Sequence, residues 1–104
     1  MFLLNGQGCI CLKRLYIHED IYPALTEALV AVARSAKVGN GLDPNTTLGP
    51  VQNYLQYQRL QWAWEEITKS GATILFRGDV PANEKGFFFP VTLLDNPPED
   101  ASYA

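Results

Sequence analysis

The chain has 104 residues, enough for one domain at most, with 47% hydrophobic residues and a net charge of −3 from 8 basic and 11 acidic side chains. The charges are scattered, so no basic stripe is available to neutralise phosphates, and nucleic acid is excluded as an expected partner. No apolar run approaches a membrane span. The only thiols are Cys9 and Cys11 and the only histidine is His18, too few for a disulfide framework or a zinc site.

The start, Met1-Phe2-Leu3-Leu4, lacks the charged region and the apolar length of a signal peptide. Free thiols fit a reducing, cytoplasmic setting. Asn5-Gly6-Gln7-Gly8-Cys9 is a flexible polar loop that delivers a cysteine within the first ten residues. Its glycines permit positive φ and close approach of another group. Cys9 and Cys11, read on an extended segment, point to opposite faces.

Leu12 to His18 alternates apolar and polar residues and predicts a strand. Asp20 stands where an N-cap belongs and Pro23 in a first turn, opening a helix whose stripe is Ile21, Leu25, Ala28, Leu29 and Val32, with Gly39 as its stop. Residues 28 to 33 contain no polar side chain, so this helix expects cover from more than one side. Gly39 to Pro50 is turn-rich. A second helix is predicted from about Asn53 to Lys69, burying Tyr57, Leu60, Trp64 and Ile67 and ending at Gly71. Ala72 to Phe76 reads as a short strand and Arg77 to Gly86 as a polar loop. Phe87 to Leu94 reads as a strand whose Pro90 implies an edge or a bulge. The sum is an α/β arrangement, strand-helix-helix-strand-strand, and the apolar surplus of the first helix reads as part of a larger domain.

Four blocks in order resemble the aldehyde dehydrogenase superfamily. Phe2 to Cys11 resembles its cysteine active-site signature, and Lys13 to Tyr22 the strand and helix start that follow. Val38-Gly39-Asn40-Gly41-Leu42-Asp43-Pro44 with Leu48-Gly49-Pro50 resembles the loop before the next helix. Gly86-Phe87-Phe88-Phe89 with Thr92 resembles the strand after it. Gly8 departs from the family pattern by lacking a side chain, Val91 stands where proline is usual, and Trp62-Ala63-Trp64 is unusual.

The resemblance implies a partial catalytic domain over residues 1 to 104, with the dinucleotide-binding domain, general base and C-terminal part outside it. It implies oxidation of an aldehyde to a carboxylic acid by NAD or NADP, through a thiohemiacetal and a thioester on Cys9. Gly8 and Ile10 would shape the substrate mouth. Gln56 and Arg59 would touch the nicotinamide ribose, although as residues they read rather as an exposed helix face. Taken alone, the chain is expected to be inactive. A homo-oligomer, or association with an intact homologue, is the expected assembly, and a non-catalytic interaction module is the rival reading. A buried inert thiol is the ordinary state of a free cysteine; the Gly-Gln-Gly context favours a reactive one. Cys11 is expected to pack. His18, nine residues along an extended segment, would lie about 25–30 Å from Cys9, too far to act as its base. Arg77-Gly78-Asp79 reads as a turn, and Trp62, Trp64 and Phe87 to Phe89 as core.

Overall fold

A computed structural model describes residues 1–103. Helix α1 spans Tyr22–Ser35 and helix α2 Tyr54–Ser70. Strands β1 (Thr73–Arg77) and β2 (Thr92–Asp95) form a two-stranded antiparallel sheet. Thr73 pairs with Asp95, Ile74 with Leu94, Phe76 with Leu93 and Arg77 with Thr92, and the register shifts between Ile74 and Phe76. The shift leaves Leu75 as the extra residue of a bulge. This is a small α/β piece, as the residue pattern predicts.

Helix α2 follows its sequence signals closely. The Asn53 side chain accepts from the Gln56 N–H at 2.9 Å, satisfying one of the orphan donors of the first turn. Gly71 closes the helix in the left-handed region, at φ 70°. Ile67 is buried, and Tyr57, Leu60 and Trp64 are half-buried on the predicted stripe. Tyr57 packs on Phe87 and Phe89, with ring centroids 5.7 and 6.4 Å apart.

Four expectations are corrected. Leu12 to His18 forms no strand, because alternation shapes a segment but a ladder needs a partner, and the described residues supply none. Helix α1 starts later than Asp20, which lies in a 3₁₀ turn, Glu19–Ile21. His18 caps that turn, its Nδ1 accepting from the Asp20 N–H at 3.2 Å. The helix also ends at Ser35, four residues before Gly39. Beyond it the chain runs beside residues 47–48: the Lys37 carbonyl accepts from the Thr47 and Leu48 amides at 2.9 and 3.0 Å, and Gly39 N–H donates to the Leu48 carbonyl at 2.9 Å. These nonlocal bonds outcompete another helical turn. Finally, residues 87–91 are irregular and only Thr92–Asp95 is strand. Pro90 has no N–H to give, and the Phe87 carbonyl accepts from Val51 at 2.8 Å.

The core is thin. Its buried apolar side chains are Ala33, Val51, Ile67 and Phe88, whereas Ile21 and Val32 of the α1 stripe and Trp62 are exposed, and Phe87 marginally so. The accessible surface is 7453 Å², against about 5,800 Å² for a folded monomer of this mass. An open groove of about 740 Å³ is bordered by Leu29, Leu60, Trp64, Phe89 and Leu93. Tyr22 donates to Asp95 at one end of this groove, and Tyr16 donates to Glu99 at 3.0 Å.

Candidate active site

The cysteine loop opens with three residues at positive φ: Leu4 at 51°, Asn5 at 57° and Gly6 at 71°. Asparagine tolerates this region and glycine has no penalty there, so the Asn-Gly pair is what the turn demands. The chain then curls into a second turn, in which the Cys11 N–H donates to the Gly8 carbonyl at 3.0 Å. Cys9 and Ile10 occupy its corner. The extended geometry expected for the two thiols is therefore replaced by a turn.

Two amide side chains latch this loop to the segment before α2. Asn5 Nδ2 donates to the Gly49 carbonyl. Gln7 Oε1 accepts from the Gln52 N–H at 2.8 Å, while Gln7 Nε2 donates to the Leu4 carbonyl at 3.0 Å. Between the two anchor points lies Val51, 3% exposed. The loop is thus referenced to the core through residues 49–52. Sequence reading missed the latches: it read Asn5 and Gln7 as polar loop residues, and their acceptor and donor stand more than forty positions away.

The structure separates the two thiols by environment. Cys9 is exposed and its sulfur has no hydrogen-bond partner among the described residues. Cys11 is half-buried, and its sulfur donates to the Leu3 carbonyl at 3.4 Å. A Cβ at Gly8 would come within 3.0 Å of the Cys11 sulfur, so the missing side chain at Gly8 makes room for that thiol. Ile10, beside Cys9, is 91% exposed. Gly8, Cys9 and Ile10 thus share one turn.

Gln56 and Arg59 lie on the first turns of α2; Gln56 is half-buried and Arg59 exposed. Neither lines the large groove or the smaller cavity of about 560 Å³ between Asn40, Gln52 and Glu84 to Phe88. His18 is exposed and engaged with Asp20, its Nδ1 also lying 3.6 Å from that carboxylate. The Arg77 guanidinium carbon lies 3.5 Å from the Trp64 ring centroid, which keeps it from presenting a recognition tripeptide. Burial lowers its pKa from the ordinary arginine value. No group of three or more His, Cys, Asp or Glu that could hold a metal occurs among the described residues, and no helix among them is long and apolar enough to cross a membrane.

The profile of the aldehyde dehydrogenase family matches residues 1–104. A probable aldehyde dehydrogenase from a Pseudomonas species is 38% identical over 96% of this chain and 20% of its own length. Glutarate-semialdehyde dehydrogenase from Pseudomonas putida is 37% identical over 89% of this chain and 19% of its own. Among solved structures, the NAD+ complex of aldehyde dehydrogenase from Bacillus cereus superposes with a TM-score of 0.82 at 32% identity, covering 94% of this chain and 20% of that one. The chain therefore spans about a fifth of the length of the curated relatives it matches. It belongs to the aldehyde dehydrogenase family.

Proposed function

We propose that these residues are part of the catalytic domain of an enzyme that oxidises an aldehyde to a carboxylic acid, with Cys9 as the nucleophile. The observation that carries this reading is the exposed Cys9 thiol at the corner of a turn that Asn5 and Gln7 tie to the core segment 49–52.

The chemistry follows from the thiol. As thiolate, the Cys9 sulfur adds to the carbonyl carbon, and the π pair moves onto oxygen to give a thiohemiacetal. Among the described residues the Cys9 N–H donates to no backbone carbonyl, which leaves it free to face the developing oxyanion. Gly8 and Ile10 flank the sulfur and would border the approaching aldehyde. Oxidation of the adduct to a thioester, and hydrolysis of that thioester, need a hydride acceptor and a base that these side chains do not supply. NAD or NADP is the acceptor we propose for the whole enzyme, supported by the NAD+ complex of the Bacillus cereus relative. A polypeptide of these 104 residues alone should stop at the adduct.

Competitive labelling tests the proposal. Propionaldehyde should slow carbamidomethylation of Cys9 and leave that of Cys11 unchanged. Equal protection of both thiols, or of neither, overturns the nucleophile assignment. NADH formation from the isolated chain overturns the assignment of the remaining machinery to other residues. The open groove favours a second reading, a module that associates with a second copy or with an intact homologue. A stable monomer in size-exclusion chromatography argues against it.

A further inference from the structure

We propose that Asn40 is a site of spontaneous modification, where attack by the Gly41 nitrogen converts the asparagine to isoaspartate, while Asn5 is held back from the same reaction. The sequence contains two Asn-Gly pairs, Asn5-Gly6 and Asn40-Gly41, and at both the glycine leaves the attacking nitrogen unobstructed by a side chain. The structure separates them. Asn40 is exposed, at the head of a turn in which its main-chain carbonyl accepts from the Asp43 N–H at 3.0 Å. Its side-chain Oδ1 accepts from the Leu42 N–H at 2.9 Å, which holds Cγ on the side of the Gly41 nitrogen. The Gly41 N–H itself donates to no backbone carbonyl among the described residues. Asn5 has the opposite setting. Its Nδ2 donates to the Gly49 carbonyl, and its Oδ1 is buried with no hydrogen-bond partner among the described residues. Departure of the Asn5 amide would break a latch, and no donor waits for charge on its Oδ1.

Solvent base removes the Gly41 amide proton, and the nitrogen adds to Asn40 Cγ. Negative charge develops on Oδ1, where the Leu42 N–H stabilises it. The Cγ–Nδ2 bond then breaks, and Nδ2 takes a proton from water and leaves as ammonia, closing a cyclic imide. Water opens the imide. Cleavage at the Asn40 main-chain carbonyl leaves the chain running through Cγ as isoaspartate, whereas cleavage at Cγ gives aspartate. One water enters, one ammonia leaves, and nothing is oxidised or reduced. Either product places a carboxylate at the rim of the smaller cavity, beside Glu84 and Lys85. The isoaspartyl link also lengthens the main chain next to Gly39, whose N–H donates to the Leu48 carbonyl at 2.9 Å. The modification requires neither aldehyde nor thiol, so it stands apart from the catalytic reading.

Peptide mapping reads both sites at once, because trypsin releases Asn5 in the peptide ending at Lys13 and Asn40 in the peptide from Val38 to Arg59. The intact chain is held at mildly alkaline pH, sampled over time and digested, and the acid-for-amide mass gain is located by fragmentation. Isoaspartate is scored by methyl transfer from S-adenosylmethionine with an isoaspartyl methyltransferase. In the folded chain Asn40 should convert at least about fivefold faster than Asn5, the factor that one hydrogen bond of ordinary strength imposes. In urea the two rates should converge. Gly41→Ala should slow conversion of Asn40 severalfold with the fold intact, since the added Cβ meets no atom within 4 Å. The proposal is overturned if Asn5 keeps pace in the folded chain, if Asn40 yields no isoaspartate, or if Gly41→Ala leaves the Asn40 rate unchanged. It is equally overturned if the ratio of the two rates is the same in urea as in the folded chain.

Discussion

Replacing Gln7 by alanine removes the acceptor for the Gln52 N–H (2.8 Å) and the side-chain donor to the Leu4 carbonyl (3.0 Å). The Leu4 carbonyl keeps the Gln7 backbone N–H at 3.0 Å, so only the link to Gln52 is lost outright. One exposed hydrogen bond contributes about 1 kcal/mol net, which is roughly a fivefold change in the equilibrium between latched and open loop. Hydrogen exchange at the Gln52 amide reads that equilibrium, so its exchange rate should rise about fivefold in Gln7→Ala. Gln7→Glu separates the two ends of the bridge: it keeps an acceptor for Gln52 and loses the donor to Leu4, so Gln52 protection should survive. Identical Gln52 exchange in Gln7→Ala and the unsubstituted chain would refute the latch. Loss of protection in Gln7→Glu would refute the assigned direction of the bond.

Asn53→Ala removes the side-chain cap of α2 and should cost about 1 kcal/mol in urea denaturation followed by circular dichroism. Gly71→Ala meets no atom within 4 Å but forces a Cβ onto a residue at φ 70°, so about 1 kcal/mol should be lost through the backbone alone. Val51→Ala should destabilise by about 2 kcal/mol in the same assay and also raise Gln52 exchange, because Val51 sits between the two latch points. The hydrogen bond to Asp95, followed by burial, raises the Tyr22 pKa above 10.0 and so favours the neutral phenol in the folded chain. That contribution is complete below the unfolded tyrosine pKa and is lost as pH rises through the higher folded value. Tyr22→Phe should therefore flatten the alkaline fall of the urea midpoint, and an unchanged alkaline limb would refute the pairing.

The elements that sequence foretold are those whose determinants are local. Helix α2 carries its own cap at Asn53, its own stripe and its own left-handed stop at Gly71, each within a turn of what it controls. The failures are nonlocal. Ser35 ends α1 because Lys37 finds partners at Thr47 and Leu48, and the propensity of residues 36–39 carries no trace of that competition. Leu12 to His18 has the alternation of a strand, yet pairing depends on a neighbour the segment cannot encode by itself. At the site, the resemblance picked out Cys9 and its flanks. The curl that changes the relation of Cys9 to Cys11 comes from left-handed residues at 4 to 6 and a bond from Cys11 back to Gly8.

The latch geometry ties the fate of Cys9 to a small part of the core. Asn5 reaches Gly49 and Gln7 reaches Gln52, while Val51 between them donates its N–H to Phe87 and is one of the few buried side chains. Phe87 in turn stacks against Tyr54 and Tyr57 of α2, at 5.8 and 5.7 Å. Packing at the start of α2 therefore sets where the cysteine loop is held, and the open groove runs from Leu60, Trp64 and Ile67 of the same helix to Asn5, Gly6 and Val51. Whatever covers the groove would therefore also meet the loop at Asn5 and Gly6. It can steady Cys9 further, because residues 49 to 53 lead directly into α2. Tying the Cys9 turn by two amides to the segment that enters α2 confines the sulfur while leaving it exposed.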